Sequence, residues 1–350
     1  MEVYSTDLVE PFFFELESSL IAKYPSEKRD ESHLMLINKK TGSIKIEPHF
    51  KNIKNYLQKG DTLVYNNTKV SKRRFYLTSS KGRIHECIFL EKNDTKDDSE
   101  TWKCILAKSG KLKCGERLFH NKDSFVFIGL ENSNAIIQSE FVLTEEFFEK
   151  NGNIPIPPYL KRKAEDSDNS RYQTIFADLS GSVAAPTAAL HFTDELKAQL
   201  LDFGVEFIGA NLTIGYGTFA KVTEEQIQNK KLHSERYTLS PGVAENLNSQ
   251  KQNKHRIISI GTTTLRVLET CYDSQNAVFV PGSSSTELFI TPEDSVCSID
   301  ALVTNFHLPG SSLIMLVAAF AGTELLMEAY HKAIENKMRF YSYGDAMLIF

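Results

Sequence analysis

The sequence has few of the features that mark metal centres, disulfide frameworks or membrane spans. Its 350 residues include only five cysteines, which are scattered and form no CxxC pair, so neither a zinc site nor a disulfide framework is predicted. The longest apolar run, Leu313 to Ala321, is far shorter than the roughly 20 residues of a membrane span. The first seven residues show no signal-peptide pattern. We therefore expect a cytoplasmic protein with no bound metal and no membrane partner.

Three fingerprints of common enzyme classes are also missing. The chain contains no GxxxxGK(S/T) P-loop and no GxGxxG dinucleotide motif, so neither ATP hydrolysis nor NAD binding is supported. It contains no GxSxG elbow, which argues against a serine hydrolase.

Charge is distributed unevenly along the chain. The net charge is −5, yet the segment from Lys69 to Arg117 holds 13 Lys and Arg against 7 Asp and Glu. A basic patch on an acidic body is typical of nucleic-acid binding, and random clustering on a solvated surface is the alternative. Lys69, Lys72, Arg73 and Arg74 are the candidate RNA-binding residues.

The pattern of strands and helices predicts an α/β main domain with an inserted small all-β barrel domain. Short β-rich runs occupy residues 71–145, without a helical period. Helical patterns alternate with apolar strands from residue 146 onward. The expected division is a discontinuous catalytic domain of residues 1–70 and 146–350, interrupted by a barrel of residues 71–145. One long helix is expected from Ser311 or Ser312 to about Lys337, with Gly322 inside it.

Polar residues follow the predicted strands of the C-terminal half. The strand Ile257 to Ile260 leads into Thr262, Thr263 and Thr264 at the start of a helix, where hydroxyl and amide N–H groups suit a phosphate, carboxylate or sugar oxygen. Arg266, in the same helix, is predicted either to clamp a carboxylate or to form a surface ion pair. The turn that contains Gly215 and Gly217 allows close approach of a ligand, although most such turns are only turns.

Histidines and carboxylates supply the acid–base candidates. His191, His233 and His307 could each act as acid, base or hydrogen-bond donor, and a structural histidine is the alternative for each. Glu235, two residues after His233, would share a strand face with it. Asp345 lies in an aromatic run that either contacts a nucleoside or fills the core.

Taken together, these segments resemble the S-adenosylmethionine:tRNA ribosyltransferase-isomerase family over nearly the whole chain. The segments that carry the resemblance are Asn66 to Val70, Pro157 to Tyr159, Arg171 to Thr174, Gly181 to Phe192, His233 to Glu235, Gly261 to Arg266, Thr304 to Pro309 and Arg339 to Met347. The resemblance implies the family's two-domain architecture. It also implies transfer and isomerisation of the ribosyl group of S-adenosylmethionine onto 7-aminomethyl-7-deazaguanine (preQ1) at the wobble position of tRNA with a GUN anticodon. Epoxyqueuosine-tRNA, adenine and methionine would be the products.

S-adenosylmethionine would then be a co-substrate, no true cofactor is expected, and the protein is expected to be a monomer. The residues assigned to catalysis are His191, His233, Glu235, His307 and Asp345, with His191 or His233 as the base. The residues assigned to S-adenosylmethionine are Thr187, Gly215, Gly217, Thr262, Thr263, Thr264, Arg266 and Asn305. The alternative is a divergent member that binds tRNA or a nucleoside without this chemistry.

The chain departs from the family pattern at several positions. Thr213 stands where relatives carry a histidine, so the essential base would be another residue if that histidine were the base. Ala189 replaces a glycine, Glu287 an aspartate, and His33 the arginine of a serine–arginine pair.

Overall fold

The structure is a computed structural model that describes residues 8–96, 99–132, 134–219 and 222–350. The first seven residues, whose lack of a signal-peptide pattern was one reason to expect a cytoplasmic protein, lie outside the described residues. The strands are β1 (Leu34–Asn38), β2 (Ser43–Glu47), β3 (Thr62–Asn66), β4 (Thr68–Val70), β5 (Arg74–Ser79), β6 (Ile84–Lys96), β7 (Ser99–Leu106), β8 (Glu116–His120), β9 (Asp123–Glu131), β10 (Asn134–Ser139), β11 (Leu179–Ser182), β12 (Glu206–Leu212), β13 (Lys231–Leu239), β14 (Ile257–Ile260), β15 (Tyr272–Asp273), β16 (Val278–Phe279), β17 (Gly282–Leu288), β18 (Ala301–Asn305) and β19 (Ala346–Ile349). The α-helices are α1 (Glu145–Asn151), α2 (Asp168–Arg171), α3 (Asp194–Phe203), α4 (Glu224–Asn229), α5 (Pro241–Gln252), α6 (Thr262–Thr270), α7 (Ser312–Ala321) and α8 (Thr323–Glu335).

A nine-stranded mixed sheet forms the main body, in the order β17-β13-β12-β3-β14-β18-β19-β1-β2. The four central strands β12, β3, β14 and β18 are parallel, so their carboxyl ends lie at one edge. β19 runs antiparallel to β18, and its first residue therefore lies at the same edge. The central strands are buried on both faces: Ile257 packs into one apolar cluster, and Ile258 and Ile260 pack into the other. Burial on both faces is the reason that β14 has apolar side chains at the adjacent positions Ile257 and Ile258.

The inserted unit is a closed barrel of six antiparallel strands in the order β10-β7-β6-β5-β8-β9. Burial along β7 alternates strictly, and Trp102 and Cys104 point inward. Phe75 and Phe89 fill the interior with them. The predicted fold class, an α/β domain with an inserted β-barrel, is confirmed. The division at residues 71 and 145 stays a prediction.

The two backbone segments that enter and leave the barrel are hydrogen-bonded to each other at one junction. The backbone of Arg74 exchanges two hydrogen bonds with Asn153, at 3.1 and 2.8 Å. At Gly152 the carbonyl oxygen of Lys72 would lie only 1.7 Å from a Cβ atom. Only glycine fits this close approach of two backbones, and the barrel is thereby fixed to the segment that precedes α2.

The long C-terminal helix is a wrong prediction. The chain forms two helices, α7 and α8, which are bent by 116° at a break. The break lies at Gly322, whose φ of 87° is outside the helical region and is readily adopted by glycine alone. No single described helix is long and apolar enough to cross a membrane; only the bent pair, taken together, has the length and composition.

Candidate active site

A cleft opens where the central strands end. Its walls come from the segments after β14 and β18, from the turn at Thr187, and from the loop before β19. The residues that line it are Tyr159, Ala184, Ala185, Thr187, Ala188, Gly261, Thr262, Thr263, Thr304, Asn305, Phe306, His307, Leu308, Ser311, Leu313, Tyr341 and Ser342. Ligands of open α/β sheets bind at this edge, outside the carboxyl ends of the strands. Of the residues predicted for the site, five line this cleft: Thr187, Thr262, Thr263, Asn305 and His307.

The N-terminus of α6 points into the cleft without a capping side chain. Gly261 precedes the helix with a φ of 90° and has no side chain that could cap the first helical N–H groups. The buried Thr263 hydroxyl has no partner among the described residues. Thr264, by contrast, donates its hydroxyl proton to the Ile260 carbonyl at 2.8 Å and points away. Thr262 and Thr263 can therefore receive a ligand oxygen, and Thr264 is structural.

His191 lies behind the cleft and holds Asn305. The Asn305 amide nitrogen is 2.9 Å from His191 Nε2 and faces the backbone carbonyls of Tyr341 and Asp345, at 3.3 and 3.4 Å. These carbonyls identify that atom as the NH₂ group, so His191 Nε2 must accept and Nδ1 must carry the proton. Nδ1 then donates to the Ser32 hydroxyl at 2.7 Å. Both ring nitrogens are thus engaged within the protein.

The arrangement leaves one atom of Asn305 unused. Its Oδ1 is buried and has no partner within the described part of the chain, and the residue lines the cleft. Burial lowers the pKa of His191 to about 4; the charge of Asp345 opposes this shift and those of Arg339 and Arg29 add to it, so the ring is neutral at pH 7. This geometry favours His191 as a positioning residue for Asn305 over the predicted role as base.

His307 is the histidine that faces the cleft directly. Its Nε2 is 2.8 Å from the Thr304 hydroxyl, and its backbone N–H donates to the Tyr330 hydroxyl at 2.8 Å. Burial lowers the pKa of His307 to about 3, so its ring is neutral near pH 7. Tyr341, whose backbone N–H donates to the Phe306 carbonyl at 3.1 Å, also lines the cleft and has a φ of 71°, a region that a tyrosine rarely adopts.

Asp345 is fully buried and binds the backbone of neighbouring loops. Its carboxylate accepts the N–H of His33 at 2.9 Å and the N–H of Arg339 at 2.7 Å. The His33 ring and the Arg339 guanidinium also lie beside it, at 3.5 and 3.6 Å. Asp345 does not line the cleft, and this geometry favours a role in shaping the cleft loop over a direct nucleoside contact.

Five further predicted residues form a separate group along the sheet. Glu235 makes a buried ion pair with Arg266 and accepts the Gly215 N–H at 2.8 Å. His233 is exposed, and its ring packs so closely on Gly217 that a Cβ there would meet it at 2.3 Å. The carboxylate that Arg266 binds is therefore that of Glu235 in the same chain. Glu235 is oriented toward Arg266 and Gly215.

Thr213, the residue directly after β12, donates its N–H to the Arg236 carbonyl at 2.8 Å. Its methyl group lies 3.7 Å from a Cβ atom placed on Gly181. The residue therefore lies between the Gly181 segment and β13. It does not line the cleft.

The predicted RNA-binding residues need correction. Arg73 and Arg74 are only 7% and 6% exposed. Arg73 binds Glu145 and the Leu90 carbonyl, and Arg74 pairs with Glu86 and donates to the Ile156 carbonyl. Lys72 pairs with Glu149 at 2.8 Å.

These cations fasten the barrel to the main body, because their partners belong to α1, to the segment after it and to the barrel itself. The two arginines are thus too buried to act as surface ligands for phosphate. Lys69 is half-buried in β4.

Sequence reasoning missed two residues of the cleft and one cationic pair. Tyr159 bonds to Ser342 across the mouth of the cleft, and burial raises the pKa of Tyr159 to about 12. The Pro157 to Tyr159 motif was a usable signal, but its partner is 183 positions away. Arg29 and Arg171 lie side by side next to the cleft, and no sequence period links them. Within the described ranges, no group of three or more His, Cys, Asp or Glu side chains is arranged to hold a metal.

Comparison with known proteins gives consistent results. A family model described as a queuosine biosynthesis protein matches residues 9–349. A protein from Syntrophomonas wolfei named S-adenosylmethionine:tRNA ribosyltransferase-isomerase is 39% identical over 97% of this chain and 96% of its own length. A protein of the same name from Fusobacterium nucleatum is 41% identical over 100% of this chain and 98% of its own length. A crystal structure from Thermotoga maritima, titled as an S-adenosylmethionine tRNA ribosyltransferase, is 32% identical with a TM-score of 0.55 and covers 97% of this chain and 100% of that one.

Proposed function

The chain belongs to the queuosine biosynthesis protein family, and on that premise we propose that it is an S-adenosylmethionine:tRNA ribosyltransferase-isomerase. The observation that carries the proposal is the cleft at the carboxyl edge of the sheet, where the α6 N-terminus, Thr263 and Asn305 offer unused hydrogen-bonding groups. The binding-only alternative is not favoured, because the similar proteins carry an enzyme name over their full length.

The finer proposal follows the family. The ribosyl group of S-adenosylmethionine would be transferred to preQ1 at the wobble position of a tRNA with a GUN anticodon. The protein would act as a monomer in the cytoplasm.

The chemistry requires three kinds of group. A base must remove a proton beside the sulfonium, an acid must assist the departure of adenine, and donors must stabilise the oxyanion of the opened sugar. The N–H groups of α6 with Thr262 and Thr263 fit the last task, because they lie at the positive end of a helix. His307 is the histidine among the described residues that line the cleft, and we assign its neutral ring to proton transfer.

Turnover tests the proposal directly. The purified protein, supplied with S-adenosylmethionine and preQ1-containing tRNA, is expected to release adenine and methionine in equal amounts, measured by liquid chromatography. The matched control is the same tRNA with guanine at the wobble position, which lacks the aminomethyl acceptor. Binding of tRNA without any release of adenine would instead identify a binding protein.

The tRNA surface is proposed on the outside of the barrel, in place of the buried arginines. Thr78 on β5 faces Ile84 on one side and Phe119 on the other. Tyr76 lies two residues earlier on the same face, at a distance of roughly 7 Å. Ile84, Tyr76 and Phe119 are 60%, 39% and 37% exposed, which is unusual for a row of large apolar side chains.

This row, which we term the outer stripe (Tyr76, Ile84 and Phe119), leads back toward the cleft edge. Tyr76 is paired with Glu86, which binds Arg74. Burial raises the pKa of Tyr216, and the charges of Arg74 and Glu86 also act on it, so the loop after β12 lies near the base of the stripe.

Exposed cations flank the outer end of the stripe. Lys81 and Arg83 lie in the turn before Ile84, and Lys122 lies in the turn after Phe119, against the single carboxylate of Asp123. Exposed aromatic rings beside cations are the surface on which splayed RNA bases stack.

Truncating the stripe is expected to weaken tRNA binding. Tyr76→Ala and Phe119→Ala should each raise the Kd about 10-fold, since stacking contributes about 1–3 kcal/mol per base. Fluorescence anisotropy with labelled tRNA measures the effect. Leu130→Ala is the matched control, because Leu130 is 56% exposed at the other end of β9. Equal Kd values for all three variants would contradict this surface.

A further inference from the structure

Two arginines lie together beside the cleft, and their hydrogen bonds within the described part of the chain all go to backbone oxygens. Arg29 donates from Nη1 to the Leu190 carbonyl at 3.2 Å and from Nη2 to the Ser170 carbonyl at 2.7 Å. Arg171 donates to the Glu27 and Ser26 carbonyls at 2.8 and 2.6 Å. These contacts hold both guanidinium groups in fixed orientations, because each is attached at two points.

The charges of this pair are not neutralised at close range. Across the described residues, neither guanidinium forms an ion pair with a carboxylate. Burial lowers the pKa of Arg29, and the neighbouring charge of Arg171 lowers it further; Asp194 and Tyr343 oppose the effect from a distance. The buried Nε of Arg171 also has no partner in the described part of the chain. Two half-buried like charges repel, and a bound anion would relieve that repulsion.

The pair borders a small recess that adjoins the cleft. Arg29, Arg171, Pro25, His191, Ser342 and Gly344 line this recess. Ser342 also lines the cleft itself, and His191 binds Asn305 in the cleft wall. An anion held by the two arginines would therefore lie next to whatever molecule occupies the cleft.

We propose that Arg29 and Arg171 form an oxyanion site that holds the RNA phosphodiester adjoining the nucleotide in the cleft. The proposal rests on the proposed function, since RNA supplies the phosphate. A base can reach a cleft at the sheet edge only if its own backbone comes to the rim, and its flanking phosphates come with it. Paired arginines present the planar donors that match phosphate oxygens. The carboxylate of S-adenosylmethionine is the other oxyanion source, which the experiment distinguishes.

Neutral variants test the site without turnover. Arg29→Gln and Arg171→Gln keep hydrogen-bond donors for the backbone carbonyls and remove the charge. Anisotropy measures the Kd for tRNA across a range of salt concentrations, and calorimetry measures the Kd for S-adenosylmethionine alone. We expect each variant to weaken tRNA binding about 10-fold and to lower the slope of log K against log salt by about 1, as for one lost phosphate contact.

The outcomes separate the two sources and the structural explanation. A smaller salt slope with an unchanged Kd for S-adenosylmethionine supports the phosphodiester. A weaker Kd for S-adenosylmethionine with an unchanged slope supports an oxyanion site but overturns the RNA assignment. If the salt slope and the Kd for S-adenosylmethionine are both unchanged in folded variants, no oxyanion site exists. The same conclusion holds if Arg29→Lys and Arg171→Lys, which keep the charge, lower the salt slope as much as the glutamine variants do.

Lys28→Gln is the matched control. It removes an adjacent charge whose side chain is 71% exposed, and it should change neither quantity beyond a small general effect. Failure of the proposed function is recognised separately, because the wild-type protein would then release no adenine whatever the variants bind.

Discussion

Replacing His191 by alanine is expected to lower kcat/KM about 100-fold, although this ring does not line the cleft. The reason is geometric. His191 Nε2 accepts the Asn305 amide N–H at 2.9 Å, and without it the amide loses a partner that fixes its orientation in the cleft wall. Displacements of about 1 Å in a group that positions substrate cost rates of this order. Steady-state kinetics with tRNA at saturation gives the value.

The conservative variant distinguishes positioning from proton transfer. In His191→Gln the side-chain carbonyl can accept from Asn305, so we expect it to recover at least about 10-fold of the loss. The pH dependence of kcat/KM should match that of the wild type, because the buried ring, with its pKa near 4, is already neutral at pH 6 and above. A glutamine variant as inactive as alanine, with one limb of the pH profile lost, would restore His191 as the base.

Ser32→Ala provides the control on the other side of the ring. The Ser32 hydroxyl accepts from Nδ1 at 2.7 Å and holds the tautomer in which Nε2 is free to accept. We expect a smaller decrease in kcat/KM than for His191→Ala, because the ring and its stacking on Phe50 remain. In the His191→Gln background, Ser32→Ala should cause little further decrease in kcat/KM.

Removing Glu235 is expected to cost about 3–5 kcal/mol of unfolding free energy, the largest stability effect predicted for this chain. Its carboxylate is the ion-pair partner of Arg266, and both side chains are only 6% exposed. In Glu235→Ala the Arg266 guanidinium stays buried without its counter-ion, and the Gly215 N–H loses its acceptor. Urea denaturation followed by circular dichroism measures the loss.

Two controls show whether the cost comes from the buried charge. Lys231→Ala breaks an ion pair on the same strand, Lys231 with Glu287, whose side chains are 65% and 45% exposed; it should cost less than about 1 kcal/mol. The double variant Glu235→Leu with Arg266→Met should be more stable than Glu235→Ala, because no unpaired charge remains. Equal stability of Glu235→Ala and Lys231→Ala would refute the argument.

Much of the architecture was predictable because local pattern and burial agree. The run Ile257 to Ile260 is apolar except at Ser259, since both of its faces are covered, and the alternation around Trp102 reflects one face turned into the barrel. The threonines at Thr262 and Thr263 were recognisable because hydroxyls after a buried strand lie at a helix N-terminus. Gly322 was misread because an interior glycine and a helix break look alike in sequence.

The partners of charged residues were not predictable in the same way. Arg73 and Arg74 belong to a basic segment, yet the junction buries both of them against carboxylates and carbonyls that are distant in sequence. Glu235 was expected to share a strand face with His233, but its charged partner is Arg266 of the facing helix. An ion pair depends on which elements meet, and periodicity does not encode that.

The sequence by itself determined the family, the α/β fold class with its inserted barrel, and the segments that carry the family motifs. Those properties follow from local residue patterns and from long motifs, which can be recognised without knowing the tertiary contacts. Only the tertiary structure decided what each polar group does within those segments. It turned His191 toward Ser32 and Asn305, left His307 facing the cleft, and brought Arg29 beside Arg171. Roles of this kind depend on hydrogen-bond partners from remote positions, and folding alone brings those partners within 3 Å of each other.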